Sequence, residues 1–173
     1  MKQSKMIALS ALCTAFASIC VSVGNSVPML DYAMFLAGSL FVMTPILAGS
    51  YKGGVLVAIA SVFVGVMIVP NFVMVLPYVA FFAPYAVLLC FCEDEKREMN
   101  VAMKTAVKGV FFVVVELVLW KFANFFVDFE GLGLPIWALV LAGLAVLFVF
   151  DFLMKRIRRQ LAYQLWRIFK LSS

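Results

Sequence analysis

The run from Lys104 to Glu130, KTAVKGVFFVVVELVLWKFANFFVDFE, sets Glu116, Trp120, Lys121 and Asn124 inside an otherwise apolar stretch. A charge at membrane depth costs about 2.5–3.5 kcal/mol on insertion scales, so such groups usually face a protein interior or a wet cavity. The chemistry these residues offer is capture of a small polar or zwitterionic solute. Lys121 would meet an anionic group, and aromatic side chains would stack on a ring. Lys121, Asn124 and Asp128 lie three and four apart and share a helix face. Glu116 precedes Lys121 by five, about 140° around the helix, so the two cannot pair within it. Each needs a partner from another helix, water or a ligand. Glu116 lies deeper and is the stronger candidate, either for a solute or as a protonated, hydrogen-bonded group. Lys121 either faces the same pocket or reaches the outer interface along its stem.

Two more residues join the candidate set. Asn71 follows Pro70 in an expected outer turn. Tyr78 lies in LPYVAFFAPYAVLL, where Pro77 and Pro84 free backbone carbonyls that a bundle or ligand must satisfy. Tyr78, Phe81, Phe82 and Tyr85 supply aromatic surface for packing or for a ligand cage.

The elements that would position these groups are membrane helices. The chain has 173 residues, 66% hydrophobic and 13% charged, against about 45–50% apolar and about 25% charged in soluble domains. Its mean hydropathy is +1.11. Apolar segments fall near 6–24, 33–50, 54–69, 72–92, 105–127 and 134–154. At about 1.5 Å per residue most approach the roughly 30 Å of a hydrocarbon core. They lack the alternation of barrel strands, so the expected fold is an all-α integral membrane protein with six transmembrane helices over 1–154. The third segment is the shortest. The basic tail, 155–173, spaces Ile157, Leu161, Leu165 and Ile168 as an amphipathic helix on the inner surface, anchored to anionic lipid. With the N-terminus in the cytosol, every Lys and Arg except Lys121 falls on the inner side, and the outer loops hold Asp31, Asp128 and Glu130. Both termini are therefore expected in the cytosol. Lys2 and Lys5 before an apolar run ending near Ala15-Phe16-Ala17 also fit a signal peptide, but 6–23 is long for one and reads as the first membrane helix. Tyr51-Lys52-Gly53-Gly54 is expected to be a tight turn, and Trp137 an interfacial anchor.

The net charge of +5 does not point to nucleic acid, because the charges lie between apolar spans and at the ends. There is no His, no metal-ligand cluster and no glycine-rich phosphate loop, so no cofactor or metal is expected. Cys13, Cys20, Cys90 and Cys92 read as small hydrophobic filler. No nucleophile–base pair marks an enzyme, although acid–base chemistry at Glu116 stays open. On the first helix Ala11 and Ala15 lie one turn apart. Small residues at that spacing let another helix approach closely, either within the bundle or from another subunit.

These features together resemble the substrate-binding S component of energy-coupling factor transporters. The likeness rests on the length, the six spans with both ends inside, and the basic start into an Ala-rich helix with Ala11-xxx-Ala15. It rests also on VPMLDYAMFLAG, LPYVAFFAPYAVL and the FDFLMKRI ending. It implies a multi-pass subunit in a bacterial plasma membrane that takes a vitamin-like micronutrient from outside. It also implies docking through Ala11 and Ala15 on a transmembrane coupling subunit that carries two ATPases. The family has no shared ligand code, so Glu116, Trp120, Lys121, Asn124, Tyr78 and Asn71 rest on the residue reading alone. The N-terminal His of the metal-ion members is missing. A non-transport scaffold similar to the cell-shape membrane protein of the elongation machinery is the competing expectation.

Overall fold

A computed structural model describes residues 3–27, 29–68, 72–94, 100–126 and 136–171. Among them every regular element is helical. The helices are α1 (Gln3–Ser26), α2 (Asp31–Leu47), α3 (Tyr51–Ile68), α4 (Phe72–Pro77), α5 (Ala83–Cys92), α6 (Val101–Phe126) and α7 (Ile136–Leu171), with a π-helical turn, Tyr78–Phe82, joining α4 to α5. Among the described residues three stretches are long and apolar enough to cross a membrane: Gln3–Ser26, Tyr51–Ile68 and Met74–Cys92. The apolar α2 is one residue short of the 18 that α3 has.

The chain divides into two compact units, Met1–Asp94 with Arg158–Ser173, and Glu95–Ile157. In the first, α1, α2 and α3 pack on one another and α5 packs on α2 and α3. On α3 and α1 the residues turned inward are mostly small. On α3 they are Gly53, Gly54, Val57, Ala58, Ser61 and Gly65. On α1 they are Cys13, Ala17, Ser18, Val21 and Gly24. The large apolar side chains point the other way: Leu12 and Ile19 on α1, and Leu56, Ile59, Phe63 and Met67 on α3, are more than half exposed. Water would penalise this surface by about 25 cal/mol per Å², whereas lipid tails are as apolar as the side chains. Helices in lipid instead associate by close van der Waals approach, which small residues allow.

Hydroxyls and amides on α1 and α2 satisfy themselves locally. Thr14, Ser22, Asn25 and Thr44 each donate to the carbonyl four residues back, at 2.9–3.0 Å. This removes a polar cost without recruiting a neighbour.

The turn after α2 differs from the sequence expectation, because it lies earlier. Gly49 has φ +101°, its amide donates to the Ile46 carbonyl, and the Ser50 amide reaches the Pro45 carbonyl. This is a Schellman ending that needs a left-handed residue after the helix. Ser50 then caps α3, its Oγ accepting from the Gly53 amide at 3.0 Å. Tyr51-Lys52-Gly53-Gly54 is thus the first turn of α3, and the third segment starts sooner than expected. Gly54 serves close packing: a Cβ there would overlap the Ile46 side chain and come within 3.1 Å of the Val42 carbonyl.

α4 and α5 form one apolar stretch interrupted by the π turn, where the Ala83 amide reaches back five residues to the Tyr78 carbonyl. Pro84 has no amide to offer Ala80, and widening the helix accommodates its ring. α7 is also longer than expected. It runs 36 residues without a break, because 144–171 contains neither Gly nor Pro, so the apolar segment and basic tail are one helix of about 54 Å. In the tail Ile157, Leu161 and Leu165 are half-buried, while Arg159, Tyr163 and Arg167 face outward.

Gly54→Val should lower stability by about 1–3 kcal/mol through overpacking against Ile46. Gly109→Ala, where a Cβ meets nothing within 4 Å, should be neutral or stabilising by up to about 1 kcal/mol. Unfolding in mixed micelles reads both, and equal effects would contradict the close α2–α3 approach.

Candidate functional site

The periodicity of α6 separates two faces. Lys108, Phe112 and Val115 are buried, with Lys104, Phe111, Glu116 and Leu119 half-buried beside them. Spacings of three and four put all of these on one stripe. Val110, Val113, Val114, Leu117 and Val118 are exposed, and so is Lys121, four residues beyond Leu117. The two charged candidates are therefore separated: Glu116 borders the inward stripe, and Lys121 lies on the outward, apolar flank. Among the described residues Glu116 has neither an ion-pair nor a hydrogen-bond partner. The backbones of Trp120 and Asn124 belong to α6. Their side chains, the Trp137 side chain, Asn71, Asp128 and Glu130 lie outside the described residues.

Tyr78 belongs to the other unit and is fully buried. Its ring packs on Phe35 at 5.7 Å between centroids, and Gly38 makes room for it, since a Cβ there would stand 3.1 Å from the ring. Its hydroxyl lies 2.9 Å from Ser61 Oγ, which also donates to the Ala58 carbonyl at 3.1 Å. Tyr78 therefore donates to Ser61, and one polar pair ties the π turn to α3. Phe82 packs on Phe35, and Phe81 stacks on Tyr85 at 5.3 Å. These aromatics build the core of the first unit.

An ion cluster that the sequence reading missed lies in the second unit. Lys108 Nζ stands 3.2 Å from Asp151 Oδ1, and Lys155 Nζ 2.6 Å from Asp151 Oδ2. Lys108 is 4% exposed and Asp151 7%, so α6 and α7 meet through a buried charge pair. Asp151 four before Lys155 is a helix-surface pairing that the sequence displays. Nothing local in the sequence names Lys108 as the third member. In the first unit Arg158 Nη2 donates to the Glu93 carbonyl at 2.8 Å, placing a cation at the C-terminal end of α5, where the helix dipole favours it.

Ala11 and Ala15 are exposed on α1, while Cys13, Ala17 and Val21 between and after them are buried. The small-residue flank is left uncovered by this chain's own packing. The four cysteines form no disulfide, and Cys13, Cys90 and Cys92 are buried. No protein-family model, curated protein or solved structure matches the chain.

Asp151→Asn removes the carboxylate that both lysines meet and should cost about 3–5 kcal/mol, as for a broken buried pair. Lys155→Gln, at a side chain 39% exposed, should cost less than about 1 kcal/mol. Thermal unfolding in detergent distinguishes them, and indistinguishable midpoints would contradict the assignment of Lys108–Asp151 as the buried member.

Proposed function

We propose that this chain is the solute-capturing membrane subunit of an energy-coupling factor importer, crossing a bacterial plasma membrane six times with both ends in the cytosol. The observation that carries the reading is Glu116. It is an acidic group on the inward stripe of an apolar helix, with no partner among the described residues. A group so placed wants a counter-charge or hydrogen-bond donors from outside the chain, and a vitamin-like solute bearing a cationic or donor group supplies them. The outward Lys121 then acts by snorkelling to the outer interface, and the site is carried by Glu116 with Trp120, four residues on along the same helix face.

The docking half of the proposal is supported by Ala11 and Ala15. They form an uncovered small-residue flank on a helix apolar enough to cross the membrane, the surface on which a second membrane helix can approach closely. The coupling subunit and its two ATPases are the proposed partners. A scaffold of the cell-shape kind would use the same flank but would need no unpaired acid on α6.

Glu116→Gln should weaken solute retention by about 10- to 100-fold, the value of a charged hydrogen bond, whereas Lys121→Met should leave it within about threefold. Native mass spectrometry of gently solubilised protein reads the solute. Ala11→Leu with Ala15→Leu should abolish co-purification with the coupling subunit and ATPases while solute remains bound. Co-purification without ATPases and with no retained solute would favour the scaffold.

A further inference from the structure

The two ends of the first compact unit differ in charge. α1 and α3 begin, and α2 and α5 finish, at the same end. A Cβ on Gly53, in the first turn of α3, would touch Ser10 of α1. Tyr51, which opens α3, packs edge-on to Phe91 near the close of α5, at 6.3 Å. The tail joins this end through Arg158 and the Glu93 carbonyl. Among the described residues of this unit, Lys5, Lys52, Arg159 and Arg167 are the charged side chains classed as exposed. Asp31, at the opposite end, and Glu93, Asp94 and Arg158 are half-buried.

Two of these cations stand at the foot of apolar stripes. On α3, Lys52 is followed at helical spacing by Leu56, Ile59, Phe63 and Met67, each more than 60% exposed. On α1, Lys5 is followed by Ala8, Leu12 and Ile19 on one outward flank. A cation with an uncovered apolar track leading away from it has the shape of a bound phospholipid: an anionic headgroup at the lysine, an acyl chain along the track. Arg159, Tyr163 and Arg167, four apart on the tail, add two cations and an amphipathic ring suited to the headgroup layer.

We propose that Lys5, Lys52, Arg159 and Arg167 form a rim that binds anionic phospholipids in preference to zwitterionic ones. An acidic soluble protein would match the charges but not the apolar tracks, so lipid is the occupant the surface fits. Arg158, tied to Glu93, is a positioning residue that turns Arg159 and Arg167 outward.

The test uses the full chain reconstituted in vesicles of equal parts phosphatidylcholine and phosphatidylglycerol, then gently solubilised and weighed with its retained lipid by native mass spectrometry. Wild type should retain phosphatidylglycerol over phosphatidylcholine. Lys52→Gln alone should lower that preference roughly fivefold. The combined Lys5→Gln, Lys52→Gln, Arg159→Gln, Arg167→Gln variant should abolish it, with circular dichroism unchanged. Lys52→Arg and Asp31→Asn should leave it intact. Equal retention of the two lipids by wild type, or enrichment that survives all four substitutions in a folded protein, would overturn the proposal.

Discussion

Membrane helices gain little by hiding apolar surface from lipid, so what joins them must be something other than grease. In this protein that constraint is met in two ways. Small residues let backbones close on one another, as Gly54 does against Ile46 and Gly38 does beneath the Tyr78 ring. Buried polar pairs then fix which helix meets which, through Tyr78–Ser61 in one unit and Lys108–Asp151 in the other. On α1 and α3 the large aliphatic side chains Leu12, Ile19, Leu56 and Ile59 take no part in this and lie outward.

That arrangement gives polar residues within apolar helices a sorting rule. A polar group with an internal partner is structural. Ser61, Tyr78, Lys108, Asp151 and Lys155 fall in this class, as do the hydroxyls bonded back to their own helix. A polar group on the outward flank near a helix end, such as Lys121, can reach the interface. Glu116 fits neither class. It borders the inward stripe of α6 and has no partner among the described residues. The functional proposal depends on that difference.

The helical class and the apolar segments were legible because composition and hydropathy report the solvent directly. The opposition of Glu116 and Lys121 was legible too, since five residues fix about 140° on any α-helix. Other features were hidden for physical reasons. Gly53 and Gly54 look like turn residues in sequence, yet the same lack of a side chain serves close helix packing, and only the Gly49–Ser50 ending reveals which role applies. Two prolines announced a disturbed helix but not a π turn. Tyr78 reads as core or as ligand contact, and nothing in the local sequence names Ser61, 17 residues away, as its partner. The Lys108–Asp151 pair joins residues 43 apart, a separation that local spacing rules do not reach. In α7, the switch from apolar to basic composition looked like an element boundary, whereas the helix runs straight through it, with neither Gly nor Pro over 144–171 to interrupt it.

The most direct measurement is aqueous access to the inward stripe of α6. In a background with the four native cysteines replaced, single cysteines at Glu116, Val113 and Leu117 would be exposed to a membrane-impermeant thiol reagent applied to intact cells. A solute site entered from outside requires labelling at 116 while the outward positions 113 and 117, facing lipid, stay unreactive. If 116 is as inert as its neighbours, the carboxylate lies in a dry environment and the account of solute capture fails.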